Sequence, residues 1–91
     1  MRVIISYDIS NNKLRSDFNK FITKYGHRLQ YSVYEVTNGT RVLNNMILEI
    51  DTKFKKRFSQ SDSIYIFKLS EGCDVIRYGY AINEEKKYLI F

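Results

Sequence analysis

Asp8 is the residue of this chain whose type and position are best suited to chemistry. It ends a largely apolar run over residues 2–8, which predicts a short central strand. Side chains alternate along a strand, so one face carries Val3, Ile5 and Tyr7 and the other Ile4, Ser6 and Asp8. The first face suits a helix-covered core. The second suits contact with a partner subunit, a metal ion or a nucleic acid, unless Asp8 merely caps the following helix.

A second group of candidates is basic. The chain has fifteen Lys and Arg against ten Asp and Glu, a formal net charge of +5, which favours a polyanionic partner such as nucleic acid. The candidate phosphate contacts are Lys13, Arg15, Lys20, Lys24, Arg28, Lys53, Lys55 and Lys56. The alternative is that the first-helix cations are simply solvated, and that those of residues 53–56 complement the dipole of a second helix.

Other chemistry has little support in the composition. The single cysteine, Cys73, excludes an internal disulfide, and the residues near it do not resemble a zinc ligand set. The single histidine, His27, falls in a predicted loop and does not indicate a general base. Hydrophobic content of 44% excludes a disordered chain, and no segment approaches the roughly 20 apolar residues that span a bilayer. We therefore expect one cytoplasmic domain over residues 1–91, without a membrane partner.

The elements that position these residues follow from hydrophobic spacing. Apolar residues at helical intervals predict a first helix over residues 12–25, ended by Gly26 as a left-handed cap, and a second over residues 40–58. Between the two helices, residues 28–36 predict a strand in which the apolar side chains move from one face to the other partway along. A bend or bulge near Ser32 is therefore expected, and the strand is either one long strand or two short ones.

The last third of the chain predicts further strands. Residues 64–69 are apolar on both faces, which indicates a strand inside the sheet, and residues 75–81 predict another. Residues 82–91 end in four apolar side chains, and we expect this tail to add a strand to a sheet edge of the dimer. The predicted fold class is α+β: a ferredoxin-like βαββαβ sandwich with an extra C-terminal strand. Two helices cover one face of its antiparallel sheet, and a two-fold partner covers the other.

Three features of residues 3–36 resemble the CRISPR-associated protein 2 family. The segment Tyr7-Asp8-Ile9-Ser10-Asn11 matches a YDI-type motif that ends strand one, and Arg15 follows in the first helix. The segment Gly26-His27-Arg28-Leu29-Gln30-Tyr31-Ser32-Val33-Tyr34-Glu35 matches the pattern G-x-R-x-Q-x-S-V-F/Y-E. Beyond residue 36 the resemblance extends only to length and element order.

The resemblance implies a homodimer in which Asp8 of each protomer approaches its mate at the two-fold axis. Members of the family are described as magnesium-dependent endoribonucleases or endonucleases acting on RNA or duplex DNA. They are also described as adaptors of spacer acquisition, in which one dimer holds duplex DNA between two integrase dimers. By this resemblance Asp8 is the catalytic residue and the ligand of Mg²⁺, because two nearby carboxylates would repel each other without a cation.

Three functions stay open at this stage. The first is a non-catalytic adaptor that binds duplex DNA through its phosphates. The second is a magnesium-dependent nuclease centred on Asp8. The third is a ferredoxin-like nucleic-acid-binding or regulatory dimer without catalysis, although the strand over residues 64–69 lacks the glycine-containing motif of RNA-recognition sheets.

Overall fold

The computed structural model describes residues 1–76 and residue 78. Its elements are β1 (Arg2–Asp8), α1 (Asn12–Thr23), β2 (His27–Gln30), β3 (Val33–Thr37), α2 (Thr40–Glu49) and β4 (Ser63–Leu69). The strands form one sheet in the order β2-β3-β1-β4, and every neighbouring pair is antiparallel. This confirms the predicted βαββαβ order and the ferredoxin-like fold.

The core lies between one face of the sheet and the two helices. Val3 and Ile5 of β1 are fully buried, as the alternation predicts. Phe18 of α1 and Met46 of α2 pack against the same cluster and are also fully buried. Both helices therefore cover a single face, and the face that carries Ile4 remains open.

The helix α1 begins at Asn12 as predicted, but its C-terminal end differs from the sequence-based expectation. Asn11 caps its N-terminus by accepting a hydrogen bond from the Leu14 amide at 2.8 Å. At the other end the helix stops at Thr23, and Gly26 does not adopt a left-handed conformation, which among the described glycines belongs only to Gly72. The prediction of a left-handed cap at residue 26 is therefore wrong.

Gly26 has a different reason to be glycine. A Cβ atom at this position would lie within 3.0 Å of the Glu35 carbonyl oxygen and of Val36 Cγ2. The chain leaving α1 thus passes directly over the backbone of β3, and a side chain at residue 26 would push the two apart.

The parity change in the second strand region marks a hairpin. β2 and β3 pair antiparallel around a turn at Tyr31 and Ser32, and their register shifts between Arg28 and Gln30. Of the two predicted possibilities, two short strands rather than one long strand is the correct one. The Ser32 carbonyl accepts a hydrogen bond from the Tyr7 amide at 3.0 Å, which joins the turn to β1.

The second helical region changes its winding along its length. After α2 the chain continues as a π-helical segment, Ile50–Phe54, and a 3-10 turn, Lys55–Arg57, so the helical run ends one residue before the predicted boundary. The wider π turn places Phe54 in the core, edge-on to Phe18 with 5.2 Å between ring centroids. No helix in residues 1–76 is long and apolar enough to cross a membrane.

The sequence predicts β4 inside the sheet, and the further strands predicted after it lie mostly outside the described residues. β4 is an edge strand of the sheet that the described residues form, with Tyr65 62% and Phe67 49% exposed. A strand that is apolar on both faces does not need helices on both faces, because an open face can also be apolar. Of the strand predicted over residues 75–81, the structure describes Val75, Ile76 and Tyr78, and Val75 and Ile76 are not in a strand. The other residues of that prediction, and the predicted tail strand of residues 82–91, lie outside the described residues.

Candidate functional site

Asp8 lies at the exposed end of β1, on the open face of the sheet. It forms the last register pair with Ser63 of β4. Because Asn11 caps α1, the interpretation of Asp8 as a helix cap is wrong. Within residues 1–76 its carboxylate has no hydrogen bond or ion pair, so both of its oxygens are available to a ligand.

The chain just past Asp8 is held from two sides. Ile9 is buried in the core. The Arg15 guanidinium donates to the Ile9 carbonyl at 2.9 Å, to the Ser10 carbonyl at 3.4 Å and to Asn12 Oδ1. From the other side, Asp62 accepts the Ser10 amide at 2.9 Å. Arg15, predicted as a phosphate contact, therefore has a structural role in fixing this segment.

The open face beside Asp8 is largely apolar. Ile4 pairs with Phe67 and Ser6 with Tyr65 across β1 and β4, and the two aromatic rings are 6.1 Å apart. A charged group borders this patch on β3, where Glu35 lies 3.6 Å from Arg2 and 3.8 Å from His27.

The metal-ligand set within one chain is small. Among the described residues no group of three or more His, Cys, Asp or Glu could hold a metal ion. Mg²⁺ nevertheless commonly keeps several waters and binds proteins through one or two carboxylates. Asp8, exposed and without a partner among the described residues, would fit that requirement if a second chain supplied its own.

A cleft of about 510 Å³ opens between α1 and the β2–β3 turn. Its lining residues are Tyr7, Asn12, Arg15, Ser16, Asn19, Lys20, Arg28, Tyr31 and Ser32. Three of the eight predicted phosphate contacts, Arg15, Lys20 and Arg28, therefore share one concave surface. Hydroxyl and amide donors lie among them, which suits an anionic, hydrogen-bonding ligand such as a phosphodiester.

The position of Arg28 in this cleft depends on Tyr34. Arg28 Nε donates to the Tyr34 hydroxyl at 3.1 Å, and its guanidinium carbon lies 5.6 Å from the centre of the same ring. Thr23 contacts that hydroxyl at 3.2 Å.

Tyr7, which also lines the cleft, is neutral. Burial raises the pKa of its phenol, so the group stays protonated at neutral pH.

The other predicted basic residues lie away from the cleft. Lys13 pairs with Asp17 at 3.2 Å, Lys53 with Glu49 at 3.4 Å and Lys55 with Asp51 at 3.6 Å. Each of these pairs spans one helical turn, as a solvated helix surface would show. Lys24 and Lys56 are exposed elsewhere on the surface.

Sequence reasoning missed Tyr31 as a cleft residue. Its side chain is 77% exposed at the hairpin turn. The signal that could have found it is the change in apolar alternation near Ser32. That change marks a tight turn between two short strands, and the central residues of such a turn point away from both faces of the sheet. An exposed aromatic beside cations can stack on a nucleic-acid base.

Comparisons with known proteins identify a family for this chain. Residues 1–75 match the sequence model of the family described as CRISPR associated protein Cas2. The chain is 31% identical over 85 residues, 93% of its length, to CRISPR-associated endoribonuclease Cas2 4 of Rhodospirillum rubrum. It is 32% identical over 80 residues, 87% of its length, to CRISPR-associated endoribonuclease Cas2 of Mycobacterium tuberculosis strain CDC 1551. Each match spans 66% of the relative, just under two thirds of its length.

Solved structures support the same fold. A crystal structure titled cas2 has a TM-score of 0.64 and 27% identity, with 90% of both chains covered. Streptococcus pyogenes Cas2 has a TM-score of 0.65 and 22% identity, covering 79% of this chain and 89% of that one. The family match extends over most of the chain and includes the segments around Asp8 and Arg28. This chain therefore belongs to the Cas2 family of CRISPR-associated proteins.

Proposed function

We propose that two copies of this chain form a CRISPR spacer-acquisition subunit that binds nucleic acid and cleaves it with Mg²⁺ at Asp8. The observation that carries this proposal is the exposed Asp8 carboxylate, which has no partner among the described residues. Next to it in the chain, Tyr7 lines a cleft that contains three cations. An acid without a structural partner at the end of a central strand has no evident role in stability.

The open face of the sheet supports the dimer. Tyr65 and Phe67 together expose a large apolar surface beside Ile4, and large exposed apolar patches mark interaction sites. An identical copy is the occupant we favour. A two-fold axis through this face would pair the edge bearing Asp8 with its counterpart and double the ligand set.

The chemistry divides between metal and protein. A bound Mg²⁺ would polarise a phosphoryl oxygen and lower the pKa of a bound water. Asp8 would hold the cation through its free oxygens. Lys20 and Arg28 would bind phosphates of the same nucleic acid in the cleft, and Arg15 would keep the Asp8 segment in place through the Ile9 and Ser10 carbonyls.

The test compares wild type, Asp8→Ala and Asp51→Ala on labelled single-stranded RNA and duplex DNA, with Mg²⁺ or with a chelator. Asp51 is a suitable control because it is another exposed carboxylate, paired with Lys55 at 3.6 Å. We expect Asp8→Ala to lose more than about 100-fold in cleavage rate, since even outer-shell partners of a metal cost about 10- to 100-fold. Equal cutting by wild type and Asp8→Ala, or no cutting by wild type, would reject the nuclease.

The cleft favours a second function that does not need cleavage. In this function the dimer is an adaptor that holds duplex DNA and bridges two integrase dimers. Lys20→Ala should weaken duplex DNA binding and reduce the slope of log affinity against log salt by about 1 per chain, whereas Lys55→Ala should change neither. Binding by Asp8→Ala that equals wild type would separate the adaptor from the nuclease.

A further inference from the structure

The turn before β4 directs one carboxylate at the end of β1. Residues 59–62 form a polar turn in which the Asp62 amide donates to the Ser59 carbonyl at 3.1 Å. Asp62 Oδ2 accepts the Ser59 amide at 2.9 Å. With one oxygen fixed inside its own turn, Asp62 presents the other to the residues beyond Asp8.

That second oxygen binds Ser10 twice. Asp62 Oδ1 accepts the Ser10 amide at 2.9 Å and the Ser10 hydroxyl at 3.1 Å. The strand ladder ends at the pair of Asp8 with Ser63, so the carboxylate of residue 62 continues the β1–β4 connection past the last register pair. The Ser61 hydroxyl adds a contact to Ser10 at 3.3 Å.

We infer that Asp62 is a positioning residue that fixes the direction of the Asp8 side chain. Asp8 lies between a register pair to Ser63 and two fixed residues, the buried Ile9 and the doubly held Ser10. Arg15 holds the carbonyls of this segment while Asp62 holds its amide, so the two restraints are complementary. The inference rests on the proposed function, because positioning matters only where Asp8 binds a ligand.

The alternative role for Asp62 is that of a second metal ligand. Its geometry argues against this, since both oxygens already accept hydrogen bonds from backbone amides. A carboxylamide at this position keeps an acceptor for Ser10 but loses the charge. Asp62→Asn therefore separates positioning from ligation, and Asp62→Ala removes both.

The experiment measures two quantities in wild type, Asp62→Ala, Asp62→Asn and Asp17→Ala. Asp17 is the matched control, a carboxylate that also accepts two hydrogen bonds but from Arg57 and Lys13. The first quantity is hydrogen exchange of the Ser10 amide by NMR, which we expect to be about 10-fold faster in Asp62→Ala, on the scale of one lost hydrogen bond. The second is the magnesium-dependent cleavage rate, with kcat and KM resolved.

Positioning predicts a fall in kcat of about 10- to 100-fold in Asp62→Ala with KM unchanged. It also predicts partial recovery of exchange protection and kcat in Asp62→Asn, and wild-type values in Asp17→Ala. Wild-type kcat in Asp62→Ala would overturn the inference, as would an Asp62→Asn protein that protects Ser10 but cuts no better than Asp62→Ala. A wild-type protein that cuts nothing would instead reject the nuclease itself, and the positioning role with it.

Discussion

The two faces of β1 are built from alternate residues of one seven-residue strand, yet they differ in what covers them. Val3 and Ile5 are fully buried under α1 and α2, whereas Ile4 and Ser6 are half-buried and Asp8 is exposed. The covered face is complete within one chain. The open face combines apolar surface with an acid that has no partner in the described part of the chain, which suits contact with other molecules rather than stability of the monomer.

The largest effect expected from this difference is on folding. Ile5→Ala should lower the free energy of unfolding by about 2–5 kcal/mol, because it leaves a cavity in a packed core. Ile4→Ala should cost about 1 kcal/mol or less in the monomer, since its side chain remains partly hydrated. Urea denaturation at a protein concentration low enough to keep the chain monomeric measures both. Equal costs would mean that the open face is packed as tightly as the core.

The second prediction concerns association through the open face. Tyr65→Ser with Phe67→Ser should remove about 3 kcal/mol or more of the stability of the proposed dimer, since each aromatic is worth about 1.5–3 kcal/mol when buried. The dissociation constant should then rise more than about 100-fold in analytical ultracentrifugation. Leu48→Ser is the control, because Leu48 is 59% exposed on α2, away from this face. If the double variant Tyr65→Ser, Phe67→Ser dimerises as tightly as wild type and Leu48→Ser, the open face is not the interface.

The third prediction concerns the contact of the α1–β2 connection with the sheet. Gly26→Ala should destabilise the fold by about 1–3 kcal/mol, because the new Cβ meets the backbone of Glu35 and must displace it. Gly39→Ala is the control: nothing lies within 4 Å of a Cβ there, so a change within about 1 kcal/mol is expected. Thermal unfolding of both variants checks this, and similar midpoints would show that the backbone at residue 26 yields freely.

The sequence predicted the elements of the fold because each has a local pattern. Alternation separated the two faces of β1, and helical spacing located α1 and the helical run that begins at Thr40. What covers the open face of β4 could not be predicted, because apolar residues on both faces do not reveal what lies against them. The close approach at Gly26 was also missed, since it depends on a contact with β3 that no local pattern records.

The site was predictable only in part for the same reason. Asp8 stood out as an acid at the end of an apolar strand. Asp62 did not, because it meets Ser10 across 52 residues of sequence and no fixed spacing joins them. Among the basic candidates, charge alone could not distinguish Lys20 and Arg28, which line the cleft, from Lys53 and Lys55, which pair with acids one turn away.

The smallest expected effect is on acid stability, and it involves two carboxylates, Asp17 of α1 and Asp62 of the turn before β4. The hydrogen bond from Arg57, and then that from Lys13, lowers the pKa of Asp17 below its ordinary value of 3.8. The amides of Ser10 and then Ser59 lower the pKa of Asp62 in the same direction. A depressed pKa means that each group stabilises the fold above its unfolded pKa, and that this stabilisation is lost as the pH falls through the folded value.

Asp17→Asn should therefore lie slightly below wild type in urea midpoint at pH 7, and the gap should close as the pH falls below about 4. Asp62→Asn should follow the same course, because it also removes a charge that protonation removes in the wild type. A gap that persists to pH 2.5 would mean that the variants lose packing rather than charge. If only the Asp17→Asn gap closes, the amides that hold Asp62 bind its protonated form as well as its ionised form, and Asp62 could keep Ser10 in place even in acid.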